Sequence, residues 1–447
     1  MEKENYNLRP IEYVILSGAL TVLVCSIIQS FDYQECFEKL RMERMQSTTG
    51  QMLIYFGLTI LILKLSFLAY LLILHLKYKV IKTVSDEKLP TLTVIVPAYN
   101  EGELVYHTLK SLANSNYPTE KLEILAIDDG SKDDTWSWMQ KAKSDLGSRV
   151  QIFQQPENKG KRHALYRGFN IGKGEIFVTV DSDSVVLPDT LRLMASPFVT
   201  NEDCGAVAGN VKVLNSNKTS IIPKMLNVSF AFSFEFVRSA QSSLGSVLCT
   251  PGALSAYRKT AVMNCLEDWI NQTFMGEPSD IGEDRAMTNM ILKQGYNVLF
   301  QRNAVVYTDT PERFKNLYKM FIRWERSNVR ENIMMSKFAF KNFRKGPKMG
   351  TRILLLNQWF RLLLSIPATI LMFTFIVTHP LLFLTSTFSA MLVYASIQTI
   401  FYAKRNSIVE AFWAYPYSIF YAFTLFWITP YAIATANKRG WLTREIK

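Results

Sequence analysis

Four long stretches of the chain carry almost no charge, and they constrain its fold more than any other feature. The runs 13–30, 362–403 and 411–437 contain no Asp, Glu, Lys or Arg, and 51–74 contains only Lys64. A membrane-spanning helix needs about 20 consecutive apolar residues, whereas helices buried in soluble domains are rarely uncharged over such a length. The sequence therefore predicts an integral membrane protein.

The first uncharged run could also be read as a cleaved signal peptide. Residues 1–10 hold as many acidic as basic side chains, however, and no small-residue cleavage site follows the run. A second apolar run comes soon after it. We therefore expect a retained N-terminal anchor over 1–78, with two helices at 11–30 and 51–75.

The charge is concentrated between the apolar blocks. Lys and Arg number 50 against 38 Asp and Glu, a net charge of +12, and many of the basic residues lie beside the membrane blocks. The positive-inside rule then places the middle region in the cytoplasm, in a multi-pass protein of the cell (inner) membrane. Membrane lipids and a phosphate-bearing substrate explain these bases better than a nucleic acid does. The basic, amphipathic segment 311–350 predicts interfacial helices. Five cysteines without CxxC or metal spacing predict free thiols.

Three apolar, strand-like segments in the middle region each end in polar residues. They are 91–96, 122–127 and 175–180, and the last two run directly into Asp128–Ser131 and Asp181–Ser184. Parallel sheets bind their ligands at the carboxyl ends of the strands. A helix N-cap or a turn would explain each cluster alone, but explains their joint occurrence less well. The pattern predicts an α/β domain over 79–310 with a polar site at one sheet edge.

The chemistry of such a site can be stated from the side chains. Asp181 and Asp183 offer hard oxygen ligands to Mg²⁺ or Mn²⁺, which would leave coordination positions open for a diphosphate. That suits a nucleotide-sugar donor, and Gly282-Glu283-Asp284 supplies a candidate base for an incoming hydroxyl. Basic side chains could face the phosphates, although a solvated turn is the simpler alternative for them. They are Lys159, Lys161 and Arg162. No GxxxxGK[ST] or GxGxxG motif is present.

These residues belong to a longer series of motifs that resembles a known family. The motifs are PAYNE (97–101), DDGS (128–131), NKGKRHAL (158–165), DSDS (181–184), CTPGALSAYR (249–258), PSDIGEDRAMT (278–288) and IRWERSNVREN (322–332). In this order they resemble the processive family 2 glycosyltransferases, and among these the hyaluronan synthases and bacterial chitin-oligosaccharide synthases. The resemblance covers roughly 88–335, and RGWLTR (439–444) is similar to the WGTR-like tail of hyaluronan synthases.

The resemblance implies a GT-A domain, a UDP-activated sugar donor and roles for individual residues. Asp129 would contact the uridine with Tyr99 and Glu101 nearby, and Asp181 and Asp183 would hold the diphosphate through the metal. Asp284, beside Glu283, would be the general base. The other implied donor contacts are Arg258, Arg323, Trp324 and Arg444. The implied acceptor contacts are Asn210, Lys212 and Trp324. Cys249 is expected near the nucleotide, or else is a small buried residue.

Two residues depart from the family pattern. Met320 stands where the QxxRW motif has glutamine, and Leu442 stands where the tail motif has glycine. The first departure puts contacts from that position in doubt. The second removes the backbone freedom of glycine, and so could alter how the cytoplasmic tail 438–447 folds over the donor as a gating element.

A cytoplasmic tail requires an even number of membrane crossings within 351–437. The simplest division gives three spans, with one break at His379-Pro380. Two arrangements restore an even number. Either 351–370 lies along the interface and one long span follows, which we favour, or the last block is broken at Pro416 or Pro430.

Three functions remain open on the sequence alone. The leading hypothesis is a membrane-embedded, processive, inverting glycosyltransferase. It would polymerise UDP-GlcNAc, another UDP-hexose or a UDP-hexuronic acid into an extracellular β-linked polysaccharide, and would secrete the chain through its own membrane segment. The second is a transferase that adds one sugar to a lipid carrier, which the Met320 departure leaves open. A transporter or binding protein with a decayed domain is disfavoured, because Asp129, Asp183 and Asp284 are all present.

Overall fold

Two long apolar helices form the N-terminal part of the molecule. The computed structural model describes residues 8–217 and 220–438. Helices α1 (Pro10–Asp32) and α3 (Thr48–Lys77) are each long and apolar enough to span a membrane, at the positions that the sequence predicted. The charged helix α2 (Gln34–Met45) joins them and buries none of its side chains. The two helices, joined by α2, thus precede the α/β domain.

A mixed sheet of eight strands forms the centre of the domain, in the order β3-β2-β1-β4-β7-β6-β10-β5. Its strands are β1 (Leu92–Ala98), β2 (Leu122–Asp128), β3 (Val150–Gln154), β4 (Ile176–Val180), β5 (Ser184–Val186), β6 (Cys204–Val213), β7 (Leu254–Arg258) and β10 (Asn297–Thr308), while β8 (Thr273–Phe274) and β9 (Glu277–Pro278) form a separate hairpin. Strands β1, β2, β3 and β4 are mutually parallel, and β7 runs antiparallel to β4 and β6. The three strands predicted from the sequence are β1, β2 and β4.

Helices cover both faces of this sheet, which explains why the central strands are continuously apolar. Alternate residues of β1 enter different cores: Val94 and Val96 belong to one apolar cluster, and Ile95 belongs to the other. The helices are α4 (Leu104–Ala113), α5 (Thr135–Leu146), α6 (Lys161–Ile171), α7 (Thr190–Thr200), α8 (Ile221–Phe230), α9 (Arg238–Ser242), α10 (Lys259–Met263), α11 (Leu266–Ile270) and α12 (Glu283–Lys293). A π-helical segment, Ala231–Val237, joins α8 to α9.

A long amphipathic helix, α13 (Phe314–Ala339), follows the sheet. Its domain-facing side is polar and buried. The carboxylate of Glu331 accepts hydrogen bonds from the side-chain amides of Gln272 and Asn289, each at 2.8 Å. Arg285 of α12 donates to Asn332 at 2.8 Å. Helix α13 is therefore joined to the α/β domain by several buried hydrogen bonds.

The C-terminal region differs from the arrangement that we favoured. Helix α14 (Met349–Thr378) is one uninterrupted helix, and it is long and apolar enough to cross a membrane, as is α15 (Pro380–Ala403). The expectation that 351–370 forms a separate interfacial element is therefore wrong. The break at His379-Pro380 is where the sequence predicted it.

The last apolar block is broken, as the second arrangement required, but at another place. After α16 (Ile408–Ala411), helices α17 (Ala414–Thr424) and α18 (Ile428–Ala434) meet at a 44° bend near residues 425–427, rather than at Pro416 or Pro430. The block runs beside α13. Phe420 contacts Phe314, Trp427 contacts Tyr318, and Thr435 accepts a hydrogen bond from Arg326 at 3.0 Å. Helices α17 and α18 therefore both lie beside α13.

Candidate active site

The carboxyl ends of β1, β2, β4 and β10 meet at two adjoining pockets. The strand-end pocket has a volume of about 280 Å³ and is lined by residues that include Tyr99, Asp129, Asp181, Asp183 and Asp309. The inner pocket, of about 360 Å³, adds the start of α12 and part of α13. Asp181, Asp183, Lys161 and Arg323 line both. Three acidic clusters that are far apart in the sequence thus meet at one sheet edge.

Asp129 shapes the loop that closes one side of the strand-end pocket. Its buried carboxylate accepts hydrogen bonds from the backbone N–H groups of Lys159, at 3.1 Å, and Gly160, at 2.7 Å, and from the amide of Gln155 at 2.8 Å. Burial raises the pKa of Asp129 to about 6, although the two backbone donors oppose this. The ammonium of Lys159 turns instead toward Glu157, 3.4 Å away. Lys159, expected at the donor phosphates, therefore lines neither pocket, and its backbone N–H supports Asp129 instead.

Lys161 joins the end of β4 to the start of α12. Its ammonium lies 2.5 Å from a carboxylate oxygen of Asp181 and 3.1 Å from one of Glu283. Burial disfavours the charged ammonium, but the two carboxylates outweigh it and raise the pKa of Lys161. Burial alone would likewise raise the pKa of Glu283, but Lys161 lowers it below its ordinary value. Lys161 and Glu283 are therefore both held in their ionised forms.

The two aspartates after β4 suit a divalent cation that shares its coordination with a substrate. Asp183 accepts hydrogen bonds from the hydroxyls of Thr308 and Ser184, each at 3.2 Å. Within 8–217 and 220–438, no group of three or more His, Cys, Asp or Glu side chains is placed to hold a metal ion. Mg²⁺ and similar ions often use only one or two protein carboxylates together with phosphate oxygens. The residues therefore fit such an ion with Asp183 as the direct ligand, because Asp181 is engaged with Lys161.

Asp284 lies in the first turn of α12, at the bottom of the inner pocket. Gly282, just before this helix, has a left-handed backbone (φ 79°), and a Cβ there would collide with the side chain of Ser327 on α13. The Asp284 carboxylate accepts the N–H of Gly252 at 3.2 Å, and the Cys249 sulfur lies 3.8 Å away. Burial, helped by the neighbouring Glu283, raises the pKa of Asp284 to about 6. This carboxylate can therefore accept a proton near neutral pH.

Cys249 also lines the inner pocket. Burial and the nearby Asp284 raise the pKa of its thiol to about 12, so it stays protonated at neutral pH. It does not line the strand-end pocket, and its expected position near the nucleotide stays a prediction.

Helix α13 contributes the entrance of the inner pocket. Arg323 and Trp324 both line it, as expected for the RW motif. The Trp324 ring also contacts Phe230, at 6.0 Å between centroids, and Phe321, at 5.7 Å. Met320 is buried and lines both pockets, so the departure from glutamine places an apolar surface directly in the site.

Two arginines expected at the donor lie elsewhere. Arg162 is buried on α6 and lines neither pocket; its guanidinium donates to the carbonyl of Trp269 at 2.7 Å and stacks on that ring. Arg258 lies opposite Ile176, at the other end of β4 from Asp181, and donates to the carbonyl of Cys204 at 2.9 Å. Both expectations are corrected, because these arginines bond to backbone carbonyls within the domain.

Three further predicted contacts do not line the pockets. On β6, Val211 faces the inner pocket. Asn210 and Lys212 precede and follow it, and so lie on the opposite face of the strand. The amide of Asn210 donates to the carbonyl of Arg302 at 2.9 Å. Glu101 supports the site from behind, accepting the hydroxyl of Ser182 at 3.0 Å. Arg444 lies outside the described residues.

Sequence reasoning also missed residues that line the site. Asp309 and Thr310 follow β10 and line both pockets, and the rule applied to the other strand ends would have found them. Phe230, Phe234 and Arg238 come from α8, the π-helical segment and α9, and no sequence signal marks them.

A third and larger cavity, of about 900 Å³, begins at the inner pocket and extends among the apolar helices. This third space is called the membrane cavity below. It shares Phe230, Phe234, Arg238 and Trp324 with the inner pocket. Most of the rest of its wall consists of aromatic rings and hydroxyl groups. These include Ser229, Phe232, Ser233, Phe321, Ser386, Thr387, Tyr394, Tyr417, Ser418, Tyr421 and Thr429. The two spaces therefore meet at a junction formed by four side chains.

Comparison with known proteins gives the family. The model of the family described as "Glycosyltransferase like family 2" matches residues 90–327, just over half of the chain. An N-acetylglucosaminyltransferase of Rhizobium meliloti (strain 1021) is 32% identical over 252 residues, which are 56% of this chain and 58% of that protein. A hyaluronan synthase of Streptococcus pyogenes is 34% identical over 253 residues, which are 56% of this chain and 59% of that protein. The match thus spans less than two-thirds of either relative.

The fold has its counterpart among solved structures. A mannosyltransferase from Pyrobaculum calidifontis, in complex with GDP-Man and Mn²⁺, superposes with a TM-score of 0.54 and 20% identity, over 81% of this chain and 97% of that one. The likeness confirms the predicted GT-A-like mixed sheet. Together with the family match over residues 90–327 and the relatives named above, it confirms the resemblance that the motifs indicated. The chain belongs to glycosyltransferase-like family 2.

Proposed function

We propose that the protein is a membrane-embedded, processive glycosyltransferase. It would join sugars from a UDP-activated donor into a β-linked polysaccharide and pass the product through its own membrane segment. The observation that carries this proposal is the junction of Phe230, Phe234, Arg238 and Trp324, which joins the inner pocket to the membrane cavity. A chain leaving the reaction centre would enter that cavity directly.

The transfer step follows from the position of Asp284. The acceptor hydroxyl oxygen attacks the anomeric carbon of the donor sugar and passes its proton to the Asp284 carboxylate. The bond between that carbon and the diphosphate oxygen breaks, and its electron pair leaves with the nucleoside diphosphate. Attack from the face opposite the leaving group inverts the anomeric centre. The raised pKa of Asp284 supports this role, because it matches the base to neutral pH.

The donor diphosphate would lie at the end of β4. Asp183, with Asp181 beside it, would hold Mg²⁺ or Mn²⁺, which when bound neutralises charge on the diphosphate oxygens. Lys161, already positioned between Asp181 and Glu283, would add a second positive charge to the same region. Tyr99 and Asp129 line the far side of the strand-end pocket, where the nucleoside would lie. The name of the Rhizobium meliloti relative supports GlcNAc as one transferred sugar.

The wall of the membrane cavity suits a carbohydrate. Sugars present hydroxyls to hydrogen-bonding groups and apolar ring faces to aromatic side chains. Tyr394, Tyr417 and Tyr421 supply both kinds of contact, and Ser386 and Ser418 add hydroxyls. The proposal includes a multi-pass topology in which α1, α3, α14 and α15 cross the membrane. The α/β domain then lies on the cytoplasmic side, and the bent α17–α18 block packs within the membrane beside α15, where Phe423 contacts Phe388.

A panel of UDP-sugars tests this function. The purified protein is reconstituted in proteoliposomes with the domain outward, supplied with Mn²⁺ and one or two radiolabelled UDP-sugars, and its product is sized. We expect a polymer that an external glycosidase cannot degrade until detergent opens the vesicles. Single-sugar glycolipid would instead establish the lipid-carrier alternative, and a fully degradable polymer would contradict secretion through this chain.

A further inference from the structure

A single charged residue lies in the middle of helix α3. Between residues 51 and 76, Lys64 is the only Asp, Glu, Lys or Arg, with 13 residues before it and 12 after it. At about 1.5 Å of rise per residue, Lys64 lies nearly 20 Å from each end of this stretch. A hydrocarbon layer is about 30 Å thick, so a spanning α3 places the ammonium near its centre. The lysine stem is too short to reach either headgroup layer from there.

The middle of α3 contacts almost nothing in the described part of the chain. Residues 55–59 and 61–66 are all exposed. The cytoplasmic end of the helix, by contrast, is well packed: Leu74 and His75 are buried, and His75 lies 4.9 Å from the ring of Phe236. Lys64 makes no hydrogen bond or ion pair with any residue in 8–217 or 220–438. The helix is thus fixed at its base and unpartnered at the level of its charge.

Two other charges of the apolar helices, Glu12 and Arg361, are paired, whereas Asp32 and Lys77 stand at helix ends. Glu12 of α1 lies 2.7 Å from the ammonium of Lys224. Arg361 of α14 lies 2.9 Å from Glu325. An ionised side chain at the centre of a bilayer is costly, and such residues almost always pair with another group. Lys64 is the exception within the described residues, and its partner must therefore come from outside them.

We propose that α3 docks a second membrane protein, whose spanning helix places a carboxylate beside Lys64. Another copy of this chain does not fit, because the only acidic residues in α1, α3, α14 and α15 are Glu12 and Asp32, near the two ends of α1. A lipid headgroup lies at the wrong depth. Gly57, seven residues before Lys64, lies on nearly the same helix face, and a Cβ there would meet nothing within 4 Å. A partner helix could therefore approach α3 closely two turns from the charge.

A model helix of defined charge tests this docking site. The full chain, carrying a donor fluorophore, is reconstituted in phosphatidylcholine vesicles with a synthetic leucine-rich helix that carries an acceptor and one central Glu. We expect energy transfer at least about threefold above that given by the same helix with a central Leu. Lys64→Leu, which makes α3 more apolar and should not impair folding, should remove the difference. Leu65→Met, at the neighbouring exposed position, should retain it.

Several results would overturn the proposal. Equal energy transfer for the Glu and Leu helices, or full transfer with Lys64→Leu, would show that the charge does not select a partner. Energy transfer between two differently labelled copies that is lost with Lys64→Leu would make the partner a second copy. A Lys64-dependent signal that appears only with anionic lipid would make the partner a lipid.

The proposal rests on α3 crossing the membrane, and this is tested separately. In a background with Cys25 and Cys36 replaced by Ser, Thr48→Cys and Lys79→Cys should react with an impermeant maleimide from opposite sides. Labelling from one side would contradict both the docking site and the proposed topology. Labelling from opposite sides, without selective binding of the Glu helix, would contradict the docking site alone.

Discussion

The strand-end pocket and the membrane cavity adjoin, yet they are built in opposite ways. The first is made from strand ends, and its charged groups are fixed by short contacts such as Lys161 to Asp181 at 2.5 Å. The second is made from helix faces and is lined mostly by hydroxyls and aromatic rings. Fixed charges suit a reaction whose charge distribution changes, whereas a wall made mostly of hydroxyls and aromatic rings would allow a sugar chain to slide. Changes in the first should stop each transfer, and changes in the second should alter how many transfers follow.

The largest effect is expected from Asp284→Asn. The amide cannot accept the acceptor's proton, so turnover should fall by about 10²–10⁴-fold, while UDP affinity stays within about twofold of the unmodified protein. Initial rates with a UDP-sugar, and UDP binding by calorimetry, measure the two quantities. Asp268→Asn, at an exposed carboxylate on α11, is the matched control. Equal losses of turnover and UDP affinity would make Asp284 a binding residue.

Asp183→Asn should lower turnover by about 100-fold or more, because a direct ligand of the divalent cation is lost. Binding of Mn²⁺ in the presence of UDP, followed by electron paramagnetic resonance, should weaken in parallel. Asp181→Asn should weaken Mn²⁺ binding less, because Lys161 engages that carboxylate. Full activity in excess chelator would contradict a metal at this site.

Turnover should also depend on pH. The pKa of Asp284 is raised to about 6, so the carboxylate gains a proton as the pH falls through that value and can no longer act as a base. We expect kcat to fall about tenfold per pH unit below this point and to level off above it. The pKa of Asp129 is also raised to about 6, and its protonation should weaken donor binding, which appears in KM. A kcat that is constant between pH 5 and 7 would contradict the role of Asp284.

In the membrane cavity, Ala390→Trp should shorten the product and change the rate of single transfers little. Ala390 lines the cavity, so an indole there would fill part of the path. Val393→Trp is the matched control, since Val393 lies on the same helix and is 60% exposed. Gel sizing of the polysaccharide should show a several-fold shorter chain for the first variant alone. Equal product lengths would contradict the proposal that the polysaccharide passes through the membrane cavity.

The smallest effect on catalysis is expected from Arg258→Met. Arg258 bonds to the carbonyls of Cys204, Phe198 and Glu202, at the sheet end away from Asp181. Loss of these bonds should lower the free energy of unfolding by about 1–3 kcal/mol. The donor KM should not change. A thermal melt in detergent measures the stability, and steady-state kinetics measure the donor KM. A raised KM would show that Arg258 acts at the donor site.

The sequence predicted the parts of the site that depend on strand ends. The residues after β1, β2 and β4 meet because parallel strands end at one edge, and the apolar runs made those strands visible. A motif letter does not say which way a side chain points, however. Asn210 and Lys212 are adjacent to Val211 in the chain, yet only Val211 lines the pocket. Arg162 is next to Lys161, yet the rotation of about 100° between adjacent helix positions directs it to the carbonyl of Trp269.

The membrane cavity was beyond sequence reasoning for a different reason. Its wall comes from α8, the π-helical segment, α9, α13, α14, α15, α17 and α18. Hydrophobicity alone does not tell which face of an apolar helix meets another. The predicted break at a proline was also wrong, since the last block bends at residues 425–427 and not at Pro416 or Pro430. The position at which a helix breaks depends on the side chains it packs against, here Tyr318 and Ile322 of α13.

The contact between Gly282 and Ser327 has a practical consequence for work on this protein. A fragment ending at residue 310, the boundary that the sequence suggests, would remove Ser327 and Glu331, and would leave the amides of Gln272 and Asn289 without their acceptor. The first turn of α12, which carries Asp284, would lose its support. Asp284, the proposed base, thus takes its position from α13, and a fragment that lacks this helix should not keep full activity.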